Sequence, residues 1–85
     1  MVAYGLIKRI IKQKSYSVGT VILCEINPTL FAVLVYDSEG RLSASTCNTV
    51  FKNSSKSTKS LVMKNLNKVY KEVQQKLMNK ELVKN

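Results

Sequence analysis

The chain has 85 residues, of which 45% are apolar, and carries 14 Lys and Arg against 5 Asp and Glu with no His and no Trp. That length allows one small domain, and the apolar content is enough to fold it. Without His the usual neutral-pH base, the commonest zinc ligand and every His-dependent nucleophilic triad are missing, so an enzymatic function and a cofactor are not expected.

In chain order, residues 2–14 read as an amphipathic helix. At about 100° per residue Ala3, Leu6, Ile7, Ile10 and Ile11 fall on one side and Lys8, Arg9 and Lys12 on the other. Ser15 to Gly19 breaks the pattern. Three antiparallel strands are expected over 20–51. Val21 to Ile26 and Leu30 to Tyr36 are apolar runs separated by Asn27-Pro28-Thr29, and Asp37-Ser-Glu-Gly40 is a hairpin turn. The third strand, Leu42 to Phe51, alternates, with Leu42, Ala44, Thr46 and Val50 facing one way and Cys47, Thr49 and Phe51 the other. Its polarity implies one solvated face.

Residues 52–60 form a polar loop with three Lys and five hydroxyl residues, in which Ser55, Ser57 and Thr58 are all suitable N-caps. Over 61–78, Val62, Leu66, Val69, Val73 and Leu77 recur at spacings of four and three, placing them on one stripe of a second, longer helix, with Lys64, Lys68 and Lys71 opposite. Residues 79–85 lose this phase and read as a fraying tail. The expected fold is therefore α+β: a three-stranded antiparallel meander flanked by an N-terminal helix and a longer C-terminal helix.

Charge is unevenly placed. Residues 1–20 carry +4 from Lys8, Arg9, Lys12 and Lys14. Residues 21–51 carry −2, because Glu25, Asp37 and Glu39 outnumber Arg41, and residues 52–85 carry +7 from nine Lys against Glu72 and Glu81. Two basic ends attract polyanions. A hydroxyl-rich loop entering a helix start supplies amides, hydroxyls and ammonium groups, the components of a phosphate site. Lys52, Lys56 and Lys59 are the expected phosphate contacts, Lys64, Lys68 and Lys71 extend the track along the helix, and Lys8, Arg9 and Lys12 add a second basic face. Only two of the 14 cations are Arg, so little base-specific reading is expected. The same lysines also suit a solvated surface.

The helix-strand-strand-strand-helix order, with Lys56 and Lys59 near the start of the last helix, is similar to that of double-stranded RNA-binding domains. The chain has neither the Gly-Ser-Gly-Lys-Lys type of run nor the Ala-rich last helix of that family. The order of three strands and a helix also looks a little like the arm-binding domains of tyrosine recombinases, without a shared motif. Either resemblance would imply binding of a nucleic acid.

The expected function is that of a small basic, non-catalytic protein that binds DNA or RNA through phosphates with little sequence specificity. The alternative is an inhibitor or adaptor, of the kind found as phage or mobile-element accessory proteins, that docks on an acidic partner protein. A homodimer is compatible with either. Asp37, Glu39 and Arg41 lie around a turn, where acids are ordinary turn chemistry, and two carboxylates without a third ligand do not make a metal site. Cys24 and Cys47 lack metal-ligand spacing and are expected to be buried, reduced thiols. No apolar run is long enough to span a bilayer and Lys8, Arg9 and Lys12 interrupt the N-terminal one, so a cytoplasmic protein without membrane contact is expected.

Overall fold

A computed structural model describes residues 7–51 and 53–83. Four strands, β1 (Arg9–Tyr16), β2 (Gly19–Asn27), β3 (Leu30–Asp37) and β4 (Leu42–Thr49), precede one helix, α1 (Lys56–Val83). The strands form an antiparallel sheet in the order β1-β2-β3-β4, so every neighbour in sequence is a neighbour in space. The α+β class holds, but the strand count is four and the N-terminal helix is not formed where it can be seen. Of the expected helix over 2–14, residues 2–6 lie outside the described residues and Arg9 to Lys14 belong to β1. The likeness in element order to double-stranded RNA-binding domains goes with that helix.

The cause is a β-bulge. Ile10 pairs with Cys24 and Lys12 with Leu23, so Ile11 is an extra residue in β1. A bulge breaks the period of two. It leaves Ile10 and Ile11 as an adjacent apolar pair, which at sequence level imitates one side of a helix. β1 is also an edge strand, and most of its residues are exposed, so the remaining alternation is weak.

β2 and β3 form the buried centre. Val21, Leu23 and Val33 face α1 and pack with Leu66, Tyr70 and Leu77. On the other face Ile22, Cys24, Ala32, Leu34 and Tyr36 form a second buried cluster with Ile7 and Ile26. Central strands buried on both faces read as continuous apolar runs, which is what these two segments show. β4 is the opposite case: every residue but the half-buried Asn48 is exposed, so both of its faces meet solvent rather than one. Another bulge, at Ser43, separates the pairs Val35–Ala44 and Tyr36–Leu42. It places Leu42 on the face of Tyr36 and Ala44 on the face of Val35, so the expected grouping of Leu42 with Ala44 and Thr46 is broken.

The β3–β4 turn is built as its sequence indicates. Asp37 Oδ1 accepts from the Glu39 and Arg41 amides, both at 2.9 Å, and Gly40 takes a φ of 81°. Helix α1 begins earlier and ends later than its apolar stripe. Among the three possible caps Ser55 is used: the Thr58 amide donates to Ser55 Oγ at 3.2 Å, making Lys56 the first helical residue. At the other end the expected fraying from 79 is not seen up to Val83, because Glu81 Oε2 accepts from the Ser17 amide at 2.6 Å and from Ser17 Oγ at 3.2 Å. These bonds tie the helix end to the β1–β2 turn.

Gly19 is fixed by close approach. A Cβ there would stand 2.6 Å from the Tyr36 carbonyl oxygen and 3.3 Å from Leu77 Cδ2. Gly19→Ala is therefore expected to cost ~1–3 kcal/mol through local backbone strain. Urea unfolding followed by circular dichroism checks it, and an unchanged midpoint would show that the turn yields without cost.

Cys24 and Cys47 differ in state. Cys24 is buried and Cys47 is exposed, which corrects the expectation that both are covered. They flank Ala32 on neighbouring strands, so two strand spacings, roughly 9–10 Å, separate them. That is beyond disulfide reach. Burial raises the Cys24 thiol pKa and the nearby Cys47 adds to the rise; burial likewise raises the Tyr70 pKa, followed by Tyr16. Both groups keep their protons longer in the folded chain than in the unfolded one, so their contribution to stability is complete below pH 9 and is lost as pH rises through and above 9 to 10. A thiol reagent at neutral pH is expected to modify one cysteine of the native protein and both in denaturant, and the unfolding midpoint is expected to fall between pH 8 and 11.

Candidate polyanion-binding groove

The bulge that hides β1 from sequence reading also sets the direction of Lys12, which shares the α1 face with Lys14, the partner of Val21. With Ile11 inserted, Lys12 pairs with Leu23 and so lies on the face that α1 covers. Lys12 Nζ donates to Asn67 Oδ1 at 2.9 Å and stands 5.9 Å from the centroid of the Tyr70 ring. Asn67 Nδ2 donates to the Met63 carbonyl one turn back at 3.0 Å, which orients the amide with its oxygen toward Lys12. The cation is thereby held over an aromatic face at the seam between strand and helix.

Along α1, Lys59, Met63, Asn67 and Lys71 follow one another at intervals of four and form a single row on the helix surface. This row and Lys12 border an open groove of ≈ 570 Å³ lined by Lys12, Lys59, Ser60, Met63, Lys64, Asn67 and Lys71. The lining has four ammonium groups and no carboxylate. A second groove on the outer side of the helix brings Lys64, Lys68 and Lys71 together with Asn65 and Asn67. From Lys59 to Lys71 the axial rise is about 18 Å, so the cations form a track rather than a point site.

Of the residues expected to bind phosphate, Lys12, Lys59, Lys64 and Lys71 meet in one groove, and Lys68 joins two of them on its outer side. Lys56 and Lys8 are exposed outside that groove, and Lys52 lies outside the described residues. Arg9 lies apart in a neighbouring depression with Ile11, Phe31 and Lys59, where its Nη2 is 3.0 Å from Glu25 Oε1. Arg41 pairs similarly with Glu39, at 3.2 Å. Lys12 was expected on the polar face of a helix and is instead on a strand, facing α1. Asn67, Ser60 and Met63 escaped sequence reading. Asn67 had a signal of its own, a polar residue one turn beyond Met63 on the side of the helix that packs.

The loop before α1 contributes less than expected. Ser55 is consumed as the cap, with its Oγ 3.0 Å from Thr58 Oγ1. The first turn of the helix has no acid, so Lys56 and Lys59 add to the positive end of the helix dipole. The turn acids do not gather into a metal site: among the described residues no three His, Cys, Asp or Glu side chains come together. No described helix is long and apolar enough to cross a membrane.

No family model, curated protein or solved structure matches this chain. The groove therefore has to be read from its own chemistry.

Removing the ammonium with Lys12→Met is expected to free Asn67 and loosen the groove without unfolding the protein, because Lys12 is exposed and the core lies beneath it. The Asn67 side-chain amide signals in a nitrogen–proton correlation spectrum should shift while the unfolding free energy changes by less than about 1 kcal/mol.

Proposed function

We propose that the protein binds nucleic acid by its phosphates, with the groove between β1 and α1 as the contact surface. The observation that carries this reading is the groove's composition: Lys12, Lys59, Lys64 and Lys71 converge with Ser60 and Asn67 as hydrogen-bonding groups and with no acid between them. Such a surface gains affinity by releasing counterions from a dense polyanion, a gain that does not depend on base identity. Lysine ammonium groups act as point charges and read no base edge in two places. Both arginines that would do so are engaged with Glu25 and Glu39. Little sequence preference follows.

The same cations would also dock an acidic protein surface, the alternative noted above, and the salt response separates the two. Fluorescence anisotropy with short duplex DNA, duplex RNA and single-stranded DNA is expected to show binding to all sequences of one type, falling by orders of magnitude between about 50 and 200 mM salt. Lys59→Glu with Lys64→Glu should weaken binding by about 10-fold or more and flatten the salt slope. Lys76→Glu with Lys80→Glu changes net charge equally outside this groove and should act far less. Equal effects from the two pairs would make the interaction one of net charge alone, and no binding at 50 mM salt would overturn the proposal.

A further inference from the structure

The sheet has two edges, and they are finished differently. β1 carries Arg9, Lys12 and Lys14 and a bulge, the usual devices that stop an edge from pairing. β4 has no charged residue, no Pro and no Gly from Leu42 to Thr49, and past its bulge at Ser43 it runs regularly from Ala44 to Thr49. Among the described residues no strand pairs with its outer side.

The outer hydrogen-bonding groups can be assigned. The Val50 amide donates to the Thr29 carbonyl at 2.7 Å, so Val50 turns its backbone toward β3. Alternate residues of an antiparallel strand turn both backbone groups to the same side, so Asn48, Thr46 and Ala44 also bond to β3. Ser45, Cys47 and Thr49 then direct their N–H and C=O groups outward.

We infer that β4 is a self-association edge, pairing antiparallel with β4 of a second copy about a two-fold axis at Cys47. In this register Ser45 meets Thr49 of the partner, Cys47 meets Cys47 and Thr49 meets Ser45, and all outward groups pair in about six main-chain hydrogen bonds. Two observations favour a second copy over a foreign strand. Leu42 and Phe51, 54% and 67% exposed, stand at opposite ends of β4, and the two-fold brings each to the end that holds the other. The turn bearing Asp37, Glu39 and Arg41, with one net negative charge after the Arg41–Glu39 pair, lies beyond one end of β4 and the α1 start bearing Lys56 lies beyond the other. A two-fold sets the acidic turn of each copy toward the basic end of its partner.

Sedimentation equilibrium under reducing conditions tests this, together with amide hydrogen exchange across protein concentrations from micromolar to millimolar. Dimer formation is expected, with the Ser45, Cys47 and Thr49 amides gaining at least 10-fold protection as concentration rises, while Ala44, Thr46 and Asn48 are protected throughout. Cys47→Pro removes an outward N–H only, so it should remain folded and monomeric. Should that variant fail to fold, Cys47→Lys serves instead, since it sets like charges directly across the axis. Wild-type protein that stays monomeric at millimolar concentration overturns the inference, as does a dimer that survives both substitutions or leaves the three outward amides unprotected.

Discussion

One helix has to cover a four-stranded sheet, and that constraint organises the molecule. Val21, Leu23 and Val33 are fully buried only because Leu66, Tyr70 and Leu77 lie on them. A 28-residue helix of about 42 Å is long enough to pass from the β1–β2 turn, where Ser17 holds Glu81, across the sheet to Pro28 and Val50 at its far end. The cap at Ser55 and the bond at Glu81 both serve this placement. So does Gly19, whose missing side chain lets the Tyr36 carbonyl of the neighbouring strand and the Leu77 side chain approach it.

The basic groove is a by-product of the same cover. A helix laid on a sheet leaves a furrow on each flank, and what fills the furrow is decided by the residues just outside the contact stripe. On the β1 flank these are Lys59, Lys64 and Lys71 from the helix and Lys12 from the strand. Packing thus brings together cations that mutual repulsion would hold apart, and the Asn67 oxygen and the Tyr70 ring partly offset that repulsion at Lys12. A site in which like charges are gathered by the core beneath them is pre-organised for an anion.

How much of this was legible in the residues follows from their physics. The stripe from Val62 to Leu77 was readable because one face packs and the other is charged, so propensity, period and charge agree. The β2–β3 and β3–β4 connections were readable from Asn27-Pro28 and from Asp37 to Gly40, whose residue types have few other uses. β1 was not, because a bulge and an exposed edge erase the alternation that marks a strand, and the surviving Ile10–Ile11 pair points to the wrong period. Within the site, Lys64, Lys68 and Lys71 followed from the helix stripe, and Lys59 from the basic loop expected over 52–60, although it belongs to α1. Lys12 joined them for a reason no local pattern contains, since its direction depends on the insertion at Ile11. Cys47 was misplaced because a small, weakly polar residue on an alternating strand carries no signal of whether another strand lies beyond it.

The order of elements has a consequence for how the chain is made. All four strands precede the helix, and the Ser17–Glu81 bond spans 64 positions. At roughly 5–20 residues per second, the stretch from Thr49 to Val83 takes about 2–7 s to synthesise. During that interval a complete meander can form while Val21, Leu23 and Val33 still lack their cover. The nascent sheet is then an apolar surface waiting for the last third of its own sequence, and of the basic groups mainly Lys8, Arg9, Lys12 and Lys14 are already made to keep neighbouring nascent chains apart by repulsion.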